Sequence, residues 1–261
     1  MKIARFLDSG HAQLGIVEDG IVYRAEGDVF AGPGALRRGE AVGELEALAQ
    51  RGALLPPVAP GKIVAVGLNY ALHVTENDPT RQVPDEPVLF MKPTSALLPH
   101  GGVIALPPGN RIDYEAELCI VIGRRASRVP EAQALDYVLG YTCGNDVSHR
   151  DYQRKDGQWV RAKGFDTFCP LGPVIETELD PGDLAIQSRL NGEVRQQSRT
   201  SNMIFPPAFL VSFISHVMTL EPGDVIMTGT PEGVGPMQPG DTIEVEIEGI
   251  GTLRNTTRAR E

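Results

Sequence analysis

The sequence predicts a mainly β protein of the α+β class, and three observations support that prediction. Glycine and proline, with 29 and 21 residues among 261, divide the chain into short segments. Many of these segments are runs of strand length rich in valine and isoleucine. In the segment 242–248, isoleucine and valine alternate strictly with polar residues, as in a half-buried strand. We therefore expect folded or closed sheets with a few helices.

The N-terminal segment is typical of a small β-rich module. Strands are predicted at 3–7 and 14–25, and a hairpin turn at Asp19-Gly20 interrupts the second. Apolar residues at helical spacing predict a helix within 35–51.

A proline-rich segment follows this module and predicts a linker at 56–61. We therefore divide the chain into a small N-terminal module at 1–57 and a larger body at 58–261. The body opens with compact β runs at 62–66 and 89–92.

The second half adds turns and one clear helix. Asn191-Gly192 predicts a type I′ hairpin, because these two residues tolerate positive φ. An apolar face and an early proline predict a helix at 207–220. Pro-Gly-Asp turns that precede strands are predicted at 181–183, 222–224 and 239–241.

Composition and charge exclude several classes of protein. A net charge of −10 argues against binding to nucleic acid or to an anionic membrane surface. Three scattered cysteines fit neither a zinc site nor a disulfide framework, so we expect reduced thiols in a cytoplasmic protein. The first residues lack the apolar core of a signal peptide, and no apolar run approaches the ~18–20 residues of a membrane span.

The segment 111–122 is an apolar strand that nevertheless carries Asp113, Glu115 and Glu117. Residues two apart in a strand point the same way, so Glu115 and Glu117 project side by side. Buried neighbouring carboxylates repel each other, and a hard cation such as Mg²⁺ or Mn²⁺ removes that cost. The alternative is a half-exposed strand whose acidic face meets water, and this segment alone leaves both readings open.

A second candidate is the pair His73 and Glu76. The preceding β run ends at Gly67, and Asn69 can cap a short helix that places both side chains on one face. A carboxylate beside an imidazole orients it and raises its basicity, as in a general base. The alternative is a casual pair on a solvated helix. The polar, proline-rich segment 77–87 predicts a mobile loop or lid.

A third candidate is a polar face formed by Asp146, Arg150 and Gln153. If a helix begins at Asp146, these residues fall at i, i+4 and i+7 and could hold a metal and an anionic substrate. The alternative is an N-cap aspartate with an exposed face. By the same spacing His149 points elsewhere, which predicts a structural role.

Two further segments carry polar groups beside glycine. Lys163, next to glycine and aromatic residues, is either a buried cation for a carboxylate or an ordinary surface lysine. The glycine-rich turn 228–235, which contains Thr230, offers backbone N–H groups and hydroxyls suited to an anion. No Gly-Lys-Ser/Thr follows, so it is not a phosphate-binding P-loop.

Together these segments resemble the fumarylacetoacetate hydrolase family from about residue 62 to the C-terminus. The motifs that carry the resemblance are GLNYALHVTE, FMKPTSAL, DYEAELCIVIG, GYTCGNDVSHRD, WVRAKGFDTFCP, RLNGEVRQQSRTSNMIF and TGTPEGVGPMQPGD. Residues 1–57 resemble the small module that precedes the core in short bacterial members. The resemblance implies a mixed β-sheet roll and a homodimer.

The resemblance also implies the site residues. It implies one Mg²⁺ or Mn²⁺ per chain, with metal ligands at Glu115, Glu117 and Asp146. It implies catalytic residues at His73, Glu76 and Lys163, and substrate-binding residues at Arg150, Gln153 and Thr230. A fourth aspartate ligand of the eponymous hydrolase is absent, because Val66-Gly67 stands there. Members often have a small residue where His149 stands, so the surroundings of Arg150 are expected to differ.

The activity that the resemblance implies is metal-dependent chemistry on small anionic 2-oxo or 2-hydroxy-dienoic acids through an enolate. The expected reaction is C–C bond hydrolysis of an acylpyruvate-type substrate or isomerisation of 2-hydroxyhepta-2,4-diene-1,7-dioate in aromatic catabolism. Oxaloacetate decarboxylation is the alternative. Two other classes stay open: a glycosidase that uses Glu115 and Glu117 as its acid and base, and a non-catalytic binding protein that retains the fold.

Overall fold

The computed structural model describes residues 1–76, 78–109 and 111–261. Its strands are, in chain order, β1 (Lys2–Asp8), β2 (His11–Glu18), β3 (Ile21–Glu26), β4 (Arg37–Glu44), β5 (Leu54–Leu55), β6 (Ile63–Gly67), β7 (Val88–Lys92), β8 (Leu97–Leu98), β9 (Val103–Leu106), β10 (Ile112–Tyr114), β11 (Ala116–Ile122), β12 (Val138–Asn145), β13 (Ser148–His149), β14 (Cys169–Glu176), β15 (Ala185–Leu190), β16 (Glu193–Arg199), β17 (Val225–Met227), β18 (Gly235–Pro236), β19 (Thr242–Ile247) and β20 (Gly251–Ala259). The α-helices are α1 (Leu45–Gln50), α2 (Ala71–Thr75), α3 (Arg150–Asp156), α4 (Val160–Lys163) and α5 (Pro207–Val217). Short 3₁₀ turns lie at Val29–Ala31, Pro33–Ala35, Thr94–Ala96, Glu131–Tyr137 and Thr200–Asn202.

The strands form three sheets within the described residues, and the two larger ones are mixed. The largest has the order β4-β3-β2-β1-β14-β12-β11-β17-β6-β7, with β5 beside β1 and β8 beside β14. A second sheet runs β16-β15-β19-β20-β9, and a small third one runs β13-β10-β18. Most pairs are antiparallel, whereas β17 pairs with β6 in parallel. The mainly β prediction is therefore confirmed.

The N-terminal strands continue the largest sheet of the body. Strand β1 pairs with β14 through Lys2 and Glu176, while β2, β3 and β4 follow it as successive hairpins. Phe6 and Leu48 belong to the same buried cluster as Ile120. The sheet and the core are thus continuous across the predicted boundary at residue 57.

Strand β11 positions the site, because its two faces enter different cores. Leu118 and Ile120 belong to a cluster that also contains residues of β15, β19 and α5. Cys119 and Val121 point to the opposite face, where they pack in the cluster of β6 and β17. Glu117 continues that second face by the alternation of the strand, so its carboxylate is enclosed by protein.

Several predicted elements are confirmed. Asp19-Gly20 and Asn191-Gly192 both have positive φ at each residue, as a type I′ hairpin requires. Helix α5 ends at Val217, a few residues before the predicted end. In β19 the isoleucines and valine are buried and the alternate positions are half-buried. No helix of the described part of the chain is long and apolar enough to span a bilayer.

The helix predicted within 35–51 is half wrong. Residues 37–44 form β4, which pairs with β3, and only residues 45–50 are helical. Gly39 and Gly43 lower helix propensity in the first half, and the open edge of β3 offers backbone partners there. Tertiary pairing therefore overrides an apolar spacing that occurs by chance.

Candidate active site

The three predicted metal ligands meet in one buried cluster. Glu115 lies between β10 and β11, Glu117 is on β11, and Asp146 directly follows β12. All three are buried, and one carboxylate oxygen from each lies within 4.8 Å of the others. Strands β11 and β12 are paired so that Ala116 faces Asn145, which brings their acidic ends together.

Two of these carboxylates are already paired with buried cations. Lys163 Nζ lies 2.8 Å from Glu115 Oε2 and 2.5 Å from Asp146 Oδ2. Lys92 Nζ lies 2.5 Å from Asp146 Oδ1. Arg150 Nη2 lies 2.5 Å from Glu115 Oε1. Two alternatives were considered for Lys163, a buried cation and an ordinary surface lysine. The structure shows the buried cation.

Glu117 differs from its two neighbours because it has no cationic partner among the described residues. Its Oε2 accepts a hydrogen bond of 2.8 Å from the backbone N–H of Gly229. Burial, followed by the charges of Asp146 and Glu115, raises the pKa of Glu117 well above its usual range. A nearby positive charge would stabilise the ionised form of a carboxylate that is buried beside two others.

Glu115 and Lys163, in contrast, favour each other's charged form. Burial opposes ionisation of Glu115, but the charges of Lys163 and Arg150 outweigh it and lower its pKa. Burial likewise opposes the charged form of Lys163, whereas Asp146 and Glu115 raise its pKa above the usual value. The cluster is thus an interdependent set of charges in a low-dielectric interior.

His73 and Glu76 form the predicted pair. His73 lies on α2, and its Nδ1 is 3.0 Å from Glu76 Oε2. Because a carboxylate only accepts hydrogen bonds, Nδ1 carries the proton and Nε2 is left as the basic nitrogen. Burial acts to raise the pKa of Glu76, but hydrogen bonds from His73 and Gly233 outweigh it and lower the pKa. The predicted loop continues as coil from residue 78, and Asn77 lies outside the described residues.

The glycine-rich turn binds the protein's own carboxylates. Gly229 N–H donates to Glu117, and Gly233 N–H donates to Glu76 Oε1 at 2.8 Å. These two N–H groups are therefore not free for a ligand anion, which corrects the expectation from sequence. Through these hydrogen bonds, Glu117 and the His73–Glu76 pair are held by the same loop.

Thr230 of this loop lines the cavity of the cluster. Gln196 Oε1 accepts from the backbone N–H of Ala116, so the amide nitrogen is the group that donates to Thr230 Oγ1 at 2.8 Å. The hydroxyl proton of Thr230 must then point elsewhere.

The predicted residues share one small inner cavity. Its volume is about 30 Å³, and its lining includes all nine predicted site residues except Glu76. Gln153 accepts a hydrogen bond of 2.8 Å from Arg150 Nη1 through Oε1. Because the amide oxygen is engaged, the amide nitrogen of Gln153 is available to donate.

Two local predictions about these residues are wrong. Asp146 does not start a helix: β13 intervenes, and α3 begins only at Arg150. Asn69 does not cap α2, because its buried amide bonds to Phe205 and Thr228 instead. His149 is buried, stacks against Tyr152 and is 3.2 Å from Pro108 O through Nε2, which agrees with the structural role expected for it.

Sequence reasoning missed Lys92 and the role of Asp113. Lys92 ends an apolar strand and reaches Asp146 from the far side of the cluster. Asp113 accepts hydrogen bonds from Arg111 Nε at 2.9 Å and Arg150 Nε at 2.8 Å, and so holds the arginine that contacts Glu115. A charged residue within an apolar strand was the available signal for Lys92.

We predict that Lys92→Met lowers the free energy of unfolding of the metal-free protein by about 3 kcal/mol, because removing one partner of a buried ion pair exposes the other to its full desolvation cost. Urea unfolding followed by circular dichroism measures the effect. Lys155→Met, on the exposed face of α3, is the matched control and should change little. Equal stability of the Lys92 variant and the control would contradict the role assigned to this pair.

The residues present fit a divalent cation. The three candidate ligands offer only oxygen atoms, the donor type that Mg²⁺ and Mn²⁺ prefer. Glu117 makes no ion pair within the described chain, and a metal would offset the burial and the carboxylate repulsion that together raise its pKa.

Comparison with known proteins identifies the family. A model of the fumarylacetoacetate (FAA) hydrolase C-terminal domain matches residues 62–258, and a model described as Rv2993c-like, N-terminal, matches residues 1–57. The chain belongs to the fumarylacetoacetate hydrolase family. The mixed-sheet fold predicted from sequence is confirmed as that of this family.

Two relatives illustrate its range. An uncharacterised protein of Archaeoglobus fulgidus is 60% identical over 204 residues, which cover 77% of this chain and 80% of the relative. The mitochondrial oxaloacetate tautomerase FAHD2A of Bos taurus is 42% identical over 215 residues, covering 77% of this chain and 68% of the relative.

Solved structures of enzymes share the fold. The 5-carboxymethyl-2-hydroxymuconate delta-isomerase of Mycobacterium smegmatis has a TM-score of 0.87 and 44% identity, with 100% of both chains covered. Fumarylpyruvate hydrolase of Pseudomonas aeruginosa, in complex with Mn²⁺ and pyruvate, has a TM-score of 0.71 and 34% identity over 79% of this chain and 92% of that one. Isomerases and hydrolases are thus both among the structural neighbours.

Proposed function

We propose that this chain is a Mg²⁺- or Mn²⁺-dependent enzyme that acts on small 2-oxo or 2-hydroxy-dienoic dicarboxylic acids through an enolate. The observation that carries the proposal is the buried carboxylate cluster, with His73 over the same cavity. Glu115, Glu117 and Asp146 would hold one ion per chain, which when bound supplies a Lewis acid for the 2-oxygen of the substrate.

The cationic and polar residues of the cavity suit the acid end of such a substrate. Lys163 and Arg150 are buried charges that would bind a carboxylate and an oxo group. The free amide nitrogen of Gln153 and the hydroxyl of Thr230 are further donors that would fix its orientation.

His73 is the proposed base. Glu76 fixes the tautomer of His73 in which Nε2 is the basic nitrogen. The hydrogen bond from Gly233 N–H to Glu76 holds the pair beside the cavity. In hydrolysis, His73 would take a proton from the water that attacks the distal carbonyl, and a pyruvate enolate would leave. In isomerisation, it would move a proton along the conjugated chain.

Hydrolysis of an acylpyruvate-type substrate and isomerisation of 2-hydroxyhepta-2,4-diene-1,7-dioate in aromatic catabolism rank first. Both reactions are supported by structurally similar proteins, of which two are named as isomerases and one as a fumarylpyruvate hydrolase. Oxaloacetate tautomerisation is a second candidate, because the bovine relative carries that activity and the reaction needs only a proton transfer. Decarboxylation of oxaloacetate ranks after these, and a non-catalytic role is disfavoured because the acid–base pair accompanies the carboxylate cluster.

Product identification by NMR in D₂O tests the proposal, with purified protein, Mg²⁺ or Mn²⁺, and a panel of acylpyruvates, 2-hydroxy-dienedioates and oxaloacetate. We expect metal-dependent turnover of at least one of them. Pyruvate plus an acid marks a hydrolase, deuterium uptake without chain cleavage an isomerase or tautomerase, and CO₂ with pyruvate a decarboxylase. Preference for neutral esters or sugars, or no turnover across the panel, would contradict the proposal.

The proposal also includes the assembly and location expected from the family resemblance. The enzyme would be a cytoplasmic homodimer, with an N-terminal module at 1–57 and a catalytic body at 58–261. Light scattering coupled to size-exclusion chromatography distinguishes one chain from two.

A further inference from the structure

A second, larger cleft opens directly outside the inner cavity. Its volume is about 450 Å³, and Leu68, His73, Arg150, Gln153 and Trp159 line both spaces. The inner cavity, at about 30 Å³, has room for only a few atoms, since one water molecule needs roughly 10–15 Å³ by the same measure. A substrate whose acid end lies at the carboxylate cluster must therefore extend into this outer cleft.

The outer cleft is positively charged although the chain as a whole is acidic. Four arginines line it, against two aspartates, in a chain with a net charge of −10. The arginines are Arg81, Arg111, Arg150 and Arg154. A cleft with this charge concentrates anions relative to the surrounding surface.

The four arginines differ in how far they are already engaged. Arg150 is held by Asp113 and Glu115, and Arg154 pairs with Asp151 at 2.8 Å. Arg111 binds Asp113 through Nε alone, which leaves its two terminal nitrogens unbound within the described chain.

Arg81 has no side-chain hydrogen bond or ion pair with any described residue. The nearby Asp78 is occupied, because Oδ1 accepts from Thr80 N at 3.0 Å and from Thr80 Oγ1 at 2.6 Å. The backbone of the turn is fixed by Arg81 N–H donating to Asp78 O at 3.0 Å. Hydrogen bonds from Thr80 and the charge of Arg81 lower the pKa of Asp78, but the Arg81 guanidinium makes no hydrogen bond or ion pair within the described chain and lines the cleft.

We propose that Arg81, together with the free terminal nitrogens of Arg111, binds the second carboxylate of the substrate in the outer cleft. Two guanidinium groups from different segments can form charge-assisted, bidentate bonds with one carboxylate. The inference rests on the proposed function, and deepens it: the second charge of the dicarboxylate has its own subsite, some distance from the carboxylate cluster. Diacids longer than oxaloacetate would reach it best.

Binding of matched 2-oxo acids to the Mg²⁺-loaded protein, measured by calorimetry, tests this subsite without requiring turnover. 2-Oxopimelate and 2-oxoheptanoate have the same seven-carbon chain and differ in the second carboxylate. We expect the diacid to bind wild-type protein about 10- to 100-fold more tightly than the monoacid, on the scale of a charged hydrogen-bonded pair. Arg81→Met should remove most of that difference and leave the affinity for the monoacid unchanged.

Two control variants separate a specific contact from a general loss of charge. Arg154→Met removes the same charge from the same cleft but from an arginine paired with Asp151, so it should change the diacid preference less than about threefold. Arg125 pairs with Glu221 and is not among the residues that line the cleft. Arg125→Met should therefore leave the diacid preference unchanged.

The outcomes distinguish the subsite from the function on which it rests. Equal affinities for diacid and monoacid in wild-type protein, or equal effects of the Arg81 and Arg154 variants, would overturn the subsite and leave the proposed metal-dependent enolate chemistry standing. Failure of both ligands to bind the metal-loaded protein would overturn both.

Discussion

Glu117→Gln will remove metal binding and lower turnover by more than about 10³-fold, while the metal-free protein stays at least as stable as wild type. The loss of rate corresponds to several kcal/mol of Lewis-acid stabilisation of the transition state. The stability follows because Glu117 is buried beside Glu115 and Asp146 with no cationic partner in the described chain. Glutamine removes this repulsion, and its amide oxygen can still accept the Gly229 N–H.

Thermal unfolding with and without Mg²⁺, alongside steady-state rates, measures both effects. Wild-type protein should be stabilised by the metal and the variant should not. EDTA should inactivate wild-type protein reversibly. Glu193→Gln, at an exposed site on β16, is the control and should respond to Mg²⁺ as wild type does. A Glu117 variant with near-normal metal-dependent turnover would contradict the ligand assignment.

His73→Ala will lower kcat by about 10²-fold or more, the usual contribution of a general base, and leave the Mg²⁺ affinity near normal. The side chain of His73 reaches the cavity from α2 and is hydrogen-bonded to Glu76, which is not one of the three proposed ligands. Glu76→Gln should have a smaller effect, because an amide oxygen still accepts from Nδ1 but no longer stabilises the charged imidazole.

Initial rates at saturating substrate, with metal affinity measured separately by calorimetry, separate catalysis from binding. His216→Ala on α5 is the control, since within the described residues His216 Nδ1 bonds to the helix backbone at Ser212 O. Wild-type kcat in the His73 variant would mean that another residue or a hydroxide is the base.

The pairing of Glu115 with Glu117 was predictable because strand periodicity is local, whereas Asp146 was added to them by the family resemblance. Acids two residues apart in an apolar segment must share a face, and Glu115 and Glu117 do. The His73–Glu76 pair was predictable from the sequence for the same reason, since both residues lie within about one helical turn.

The remaining features depend on contacts that sequence spacing does not encode. Lys163 is buried because its partners Glu115 and Asp146 lie 48 and 17 residues away. The N–H groups of Gly229 and Gly233 were expected to be free, but acids more than 100 residues earlier occupy them.

Helix assignments failed where tertiary pairing decided the outcome. Apolar residues at helical spacing predicted a helix within 35–51, but residues 37–44 pair with β3 as a strand. Asp146 was placed on a helix, whereas the pairing of β13 with β10 keeps the chain extended until Arg150. The convergence of Asp146, Arg150 and Gln153 on one cavity was nevertheless right, although the helical reason for it was wrong.

The central claim is that Glu115, Glu117 and Asp146 hold one catalytic divalent ion. Anomalous scattering at the manganese edge, from crystals grown with Mn²⁺, tests it most directly. We expect a single strong peak per chain among these three carboxylates, with one oxygen of each at roughly 2.0–2.3 Å. No peak there, or a peak held by other residues, would contradict it.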